Sequence, residues 1–145
     1  MKLDELRRMA ERDSVVDDTA LDIESLKIPQ LHNKYMNILM ECKFDLSKIE
    51  RDYRSLKRIK WEYYTGKMSE EDLERLEWEP FDLKILKQDL DLYLDSDDDL
   101  CLMRDKIVLA KEKLNYVESF IKELNNRHWK IRNAIEWKKF TNGVS

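Results

Sequence analysis

Glycine is almost absent from this 145-residue chain: Gly66 and Gly143 are the only two, alongside two prolines, two cysteines and two histidines. Two glycines cannot build a phosphate-cradling loop, so the P-loop and the dinucleotide fingerprint are excluded. So few turn-formers also rule out the many tight connections of a sheet-rich fold. His32 and His128 have no carboxylate or cysteine at ligand spacing, so no metal site is expected and neither histidine has the partners of a catalytic base. Cys42 and Cys101 lie in partly apolar, helical surroundings and read as two reduced thiols. No apolar run approaches the roughly 20 residues that span a bilayer, so no membrane partner is expected.

Charge is what the chain has in abundance, at 40% of residues, with a net value of -4. Taken whole, that value argues against nucleic acid. The charge is segregated, however. Residues 48–67 carry 7 basic and 3 acidic side chains, whereas 68–105 carry 4 and 14. A phosphate backbone responds to the local field, which directs attention to 48–67.

The patterning is helical throughout. Leu3, Leu6, Met9 and Ala10 make an amphipathic helix over 2–13. Asp17-Asp18-Thr19 then offers a cap for a segment that should break or kink at Pro29. From Gln30 to Tyr64, Leu31, Tyr35, Ile38, Cys42, Leu46, Ile49, Tyr53, Leu56 and Tyr63 recur at spacings of three and four, and Gly66 is a natural stop. Ser69-Glu70-Glu71-Asp72 opens a short helix ending before Pro80. Residues 83–94 read as helical, although Asp89 to Leu94 also alternates as a strand would.

The final third carries a heptad. Leu100, Ile107, Leu114, Ile121, His128 and Ile135 recur every seven residues, with Met103, Ala110, Val117, Leu124 and Ile131 three positions after the first five. Ser96 opens this helix, with Asp97, Asp98 and Asp99 in its first turn. Leu102, Leu109, Tyr116 and Phe120 form a second apolar line. A helix from Asp97 to Phe140 would be roughly 66 Å long, longer than the roughly 38 Å diameter of a compact chain of this length. Such a helix either bends at Asn125-Asn126, making two helices, or packs against other chains, and self-association is the economical account of the two apolar faces. The expected interface residues are Leu100, Met103, Ile107, Leu114, Val117, Ile121, Leu124, Ile131 and Ile135. His128 falls in the same seam as a satisfied interhelical histidine.

The resulting organisation is an all-α single helical domain over 1–145. It has N-terminal helices over 1–67, an acidic connector over 68–95 and an oligomerisation helix over 96–141. Asp95, Asp97 and Asp99 mimic half of a calcium loop. Leu100 stands where glycine is needed and Lys106 where a bidentate glutamate is needed, so the run reads as an acidic helix start.

Within 48–67, Arg51, Arg54 and Arg58 fall within roughly 60° of one another at about 100° per residue. Cys42, Leu46, Ile49, Tyr53 and Leu56 lie opposite. Trp61 joins the arginine edge, while Lys60 lies in line with the apolar side, where the buried seam ends or the lysine snorkels. Cations that follow phosphates beside aromatic faces that stack on bases suit single-stranded nucleic acid. The candidate DNA contacts are Lys48, Arg51, Arg54, Lys57, Arg58, Lys60, Trp61, Tyr63, Tyr64 and Lys67. A plainer alternative is a solvated charged face over packing tyrosines, in a coiled-coil assembly adaptor that binds no DNA. A third is a magnesium nuclease using Asp95–Asp99.

The stretch Arg58-Ile59-Lys60-Trp61-Glu62-Tyr63-Tyr64-Thr65-Gly66-Lys67 resembles the core motif of T4-type phage recombination mediator proteins, the UvsY family. That motif has two basic residues one position apart, an acidic residue, a Tyr-Tyr pair and a small-residue–Gly turn. Leu3-Asp4-Glu5-Leu6, Asp17-Asp18-Thr19-Ala20-Leu21, Glu24 and Lys34 are similar too. The resemblance implies a ring-like homo-oligomer, a hexamer or heptamer, without enzymatic activity or cofactor, in the cytoplasm of an infected bacterial host. It implies binding to single-stranded DNA coated by the phage single-strand-binding protein and help in loading a RecA-like phage recombinase. Arg58 and Lys60 would be the basic pair for DNA phosphates.

Overall fold

The structure is a computed structural model that describes residues 1–143. Five α-helices account for most of it: α1 (Leu3–Ser14), α2 (Leu21–Tyr64), α3 (Glu70–Leu76), α4 (Leu90–Ser96) and α5 (Asp98–Thr141). A 3₁₀ turn, Lys87–Asp89, leads into α4, and no strand occurs among the described residues. The chain divides into two compact units. One comprises residues 1–43 and 112–145, the other residues 44–111, and α2 and α5 contribute to both.

The first unit is built on a three-helix core. Leu6 and Ala10 of α1 meet Tyr35, Leu39 and Cys42 of α2 and Val117, Ile121 and Leu124 of α5, all buried. Leu3, Met9, Leu31, Ile38, Leu114, Tyr116 and Phe120 pack around them. The rings of Tyr35 and Phe120 lie 4.3 Å apart. Burying Tyr35 would strand its hydroxyl, and Asp13 at the end of α1 accepts that proton at 2.7 Å while also pairing with Lys34 at 2.6 Å. Burial pushes the Asp13 carboxyl up, but the hydrogen bonds from Lys34 and Tyr35 outweigh it and hold it below the usual range. Arg127 of α5 donates to the Asp13 carbonyl at 2.7 Å, and Lys113 to that of Met1 at 2.6 Å. These two bonds tie both ends of α1 to α5.

The heptad residues therefore have an occupant already. Val117, Ile121, Leu124 and Ile131 are buried inside one chain, and Leu114 lies against the same core. Leu100 is fully buried in the second unit, while Met103, Ile107 and Ile135 are half-buried. The expected intersubunit seam is thus intrachain over its buried positions. A seven-residue period reports that a stripe is covered, and α1 and α2 supply the cover. His128 leaves the seam altogether. It is exposed, its Nδ1 lies 2.8 Å from the Asn125 carbonyl of its own helix, and its ring contacts Trp129.

Three further expectations change. α2 continues through Pro29, because both Pro29 and Ser25, whose carbonyl loses its helical donor, are exposed and water can take that place. The helix expected over 83–94 begins only at Leu90: residues 78–86 are irregular, and Leu83 and Leu86 remain exposed. Short helices depend on a face being buried, and only Leu94 of that stripe is. The cap of α5 is Asp97, whose carboxylate accepts the Leu100 N–H at 2.9 Å, while the Ser96 hydroxyl donates back to Leu92. From there α5 runs unbroken to Thr141.

Leu124→Ala should lower stability by about 3 kcal/mol, as a large cavity in a dry core does. The loss is read as a lower urea midpoint of helicity, and an unchanged midpoint would remove Leu124 from the core.

Candidate nucleic-acid interface

The basic segment belongs to the last five turns of α2, within the second unit. Its end is defined by backbone geometry. The Gly66 N–H reaches back to the Tyr63 carbonyl at 3.3 Å and the Lys67 N–H to that of Glu62 at 2.9 Å, with Gly66 at a φ of +72°. This is the paired bond pattern of a glycine-terminated helix, and the left-handed φ is why glycine stands there. The chain reverses after the last aromatic turn, so Trp61, Tyr63 and Tyr64 are held at a helix end.

The helical-wheel division of 48–67 is reproduced. Leu46, Ile49, Tyr53 and Leu56 are half-buried, and Lys48, Arg51, Arg54, Lys57, Arg58 and Lys67 are exposed. Among the described residues none of these six cations has a carboxylate within ion-pair distance. Arg51, Arg54 and Arg58 stand on successive turns of one helix face. Trp61 follows at 37% exposure, with the Lys67 ammonium 4.5 Å from its ring centroid.

Lys60 is different. It is only 7% exposed and held between two carboxylates, donating to Asp99 at 2.7 Å and lying 3.0 Å from Asp97. Its ammonium also sits 4.3 Å from the Trp78 ring centroid. The expected partner of Arg58 in a phosphate-binding pair is therefore an internal cation. Sequence position had put Lys60 in line with the apolar seam, and what a wheel could not display is the start of α5 brought against it. Burial pushes the Lys60 ammonium down, but the bonds and charges of Asp99 and Asp97 outweigh it and hold the group above the ordinary lysine range. For Asp97, burial again opposes ionisation. The Tyr64 hydroxyl, the Leu100 N–H and Lys60 together hold the carboxyl below its usual value.

Tyr63 and Tyr64 are packing residues as well. Tyr64 donates to Asp97 at 2.7 Å, and Tyr63 to the Glu79 carbonyl at 2.7 Å. Their rings join Trp78, Phe81 and Tyr93 in a cluster with centroid separations of 5.0 to 5.7 Å, mostly edge-to-face. Burial and the Asp97 charge raise the Tyr64 phenol well above its ordinary value. Of the expected stacking aromatics, Trp61 alone is classed as exposed; the two tyrosines are half-buried. Within the acidic run, Asp97 contacts Lys60 and Tyr64 and caps α5 through the Leu100 N–H.

Two cations went unnoticed in the sequence, Lys84 and Lys87, both exposed and both in the wall of a cleft beside Trp61. Averaging charge over 68–105 hid them. Their local signal was a pair of lysines among leucines in an otherwise acidic stretch.

Removing one member of the internal network leaves the other charge buried. Lys60→Met should therefore cost about 3 kcal/mol, measured by urea titration. The pH dependence follows from the two shifts. The raised Lys60 value contributes stability that is complete below about 10.4 and lost as pH rises through the folded value. The depressed Asp97 value contributes stability that is complete above about 3.9 and lost as pH falls through the folded value. The stability gap between the unmodified chain and Asp97→Asn should accordingly narrow as pH falls below about 4. A gap independent of pH would remove Asp97 as a stabilising carboxylate.

The family model described as "Recombination, repair and ssDNA binding protein UvsY" matches residues 9–144. Three crystal structures of the bacteriophage T4 recombination mediator protein UvsY share the fold. Lattice type II matches at TM-score 0.84 and 18% identity over 98% of each chain. Lattice type IV matches at 0.81 and 18%, over 97% of this chain and 99% of that one. Lattice type I matches at 0.78 and 17%, over 94% and 98%. No curated protein matches by sequence. On the extent of the family match, this chain belongs to the UvsY family of recombination, repair and single-stranded-DNA-binding proteins.

Proposed function

We propose that the chain is a recombination mediator: it binds single-stranded DNA and helps a RecA-like phage recombinase load onto strands coated by single-strand-binding protein, in the cytoplasm of the infected host. The observation that carries this reading is the exposed, unneutralised cationic face of α2, where Arg51, Arg54 and Arg58 lead to Trp61. Guanidinium groups on successive turns offer donors to consecutive phosphates, and an exposed indole offers a face to an unpaired base. Lys48, Lys57 and Lys67 extend the positive field. Lys60, Tyr63 and Tyr64 act behind this surface, as the framework that fixes the helix end. Nothing in the reading requires a cofactor or a chemical step.

A few exposed phosphate contacts bind weakly and lose affinity steeply with salt. Repetition around a homo-oligomer, a hexamer or heptamer, raises the effective affinity without any single tight site. Weak individual contacts also allow release of the strand to the recombinase. Self-association would use apolar side chains that the fold leaves outside, among them Trp129, Trp137 and Phe140 on α5. Asp97 and Asp99 at the start of α5 supply the carboxylates that neutralise Lys60, which keeps that charge out of the DNA-facing field.

Anisotropy of a fluorescent oligothymidylate across a salt series tests this. Replacing Arg51, Arg54 and Arg58 together by Ala should weaken binding severalfold or more and lower the logarithmic salt slope by about 2, from roughly 0.7 per contact, with stability unchanged. Lys60→Met should lower stability first and affinity only as the fold loosens. Tight binding by the triple variant with an unaltered slope would move the DNA elsewhere.

A further inference from the structure

The irregular segment after α3 does more than connect helices. Together with the end of α2 it walls an open cleft of about 910 Å³, lined by Trp61 and Tyr64 from α2 and by Phe81, Leu83, Leu86 and Leu90 from the segment that follows α3. Lys67, Lys84 and Lys87 stand around it, opposed by a single carboxylate, Asp82. None of these lysines has an ion-pair partner among the described residues. Leu83 and Leu86 are 63% and 61% exposed and line the same cleft, so they form part of one apolar wall open to solvent. The backbone N–H groups from Phe81 through Leu86 have no protein acceptor among the described residues.

We propose that this cleft is a base-docking subsite for single-stranded DNA, in which unpaired bases leave the cationic helix face and lie between Trp61 and the leucine wall, their phosphates held by Lys67, Lys84 and Lys87. It rests on the DNA-binding reading above and extends it to two lysines and two leucines outside the basic segment. Three arguments support it. Trp61 belongs to both surfaces, so a strand following Arg51, Arg54 and Arg58 arrives at the cleft mouth. The lining is apolar with cations around it, which matches a flat, weakly hydrated base attached to an anionic backbone. The wall offers side-chain contact rather than directed hydrogen bonds, so it takes any base, as a protein acting on arbitrary strands requires.

The experiment compares two labelled strands of equal length and charge: an oligothymidylate, and the same strand with abasic sites throughout its centre. The unmodified protein should bind the base-bearing strand about tenfold more tightly, the scale of one to two stacked bases. Leu83→Ser with Leu86→Ser should narrow that gap while leaving the salt slope alone, and both leucines are exposed enough for the change to spare the fold. Lys84→Gln with Lys87→Gln should weaken both strands together and lower the slope by about 1.4. Equal binding of the two strands by the unmodified protein would overturn the subsite while leaving the arginine face intact. That outcome is also the one expected if the cleft receives an acidic, apolar peptide of a protein partner. A gap of unchanged size in the Leu83/Leu86 variant would overturn it as well. Failure of either strand to bind at low salt would overturn the parent reading along with it.

Discussion

The second unit depends on one buried cation. Lys60 is enclosed by Asp97, Asp99 and the Trp78 ring, and the Asp97 carboxylate is shared with the Tyr64 hydroxyl and the Leu100 N–H in the first turn of α5. A single carboxylate thereby caps one helix and fastens it to the end of another. An isolated ammonium out of water would be strongly unfavourable, so the acidic run ahead of α5 is a requirement of burying Lys60. It also separates structural from functional charge. Two basic residues two positions apart, Arg58 and Lys60, have opposite surroundings, one in solvent and one among carboxylates.

That separation gives the cationic face its character. Arginines on the solvent side of α2 have no carboxylate within ion-pair distance among the described residues, so their field is available to an external anion. The aromatic cluster beneath holds the helix end rigid, and Gly66 turns the chain so that Trp61 stays at the edge. Rigidity matters for a surface made of weak contacts: an ordered helix presents them together without losing conformational entropy on binding.

The C-terminal helix carries a different lesson. The seven-residue spacing read from its sequence pointed to a partner chain, yet Val117, Ile121 and Leu124 are covered by α1 and α2 of the same chain. Periodicity follows from the geometry of a helix that buries one side, and it is blind to whether the covering helix belongs to the same molecule. The apolar residues of α5 left outside include Leu102, Val108 and Leu109 in its first half and Trp129, Trp137 and Phe140 in its second, all off the buried stripe.

Local physics determined much of this protein from sequence alone. Three- and four-residue spacing made α1 and α5 legible nearly to their ends and α2 from Gln30 onward, but not its continuation through Pro29. Gly66 marked the stop of α2 because only a left-handed residue closes that turn. The arginine face was legible too, since side-chain direction along a helix follows from position. Tertiary structure decided the rest. Whether Lys60 meets water or Asp97, whether Tyr64 stacks on a ligand or on Phe81, and whether Leu124 meets α2 or another subunit are questions about residues distant in the chain. Helical spacing says which way a side chain points; the surroundings that set its charge, exposure and partner arise only when separate segments are brought together.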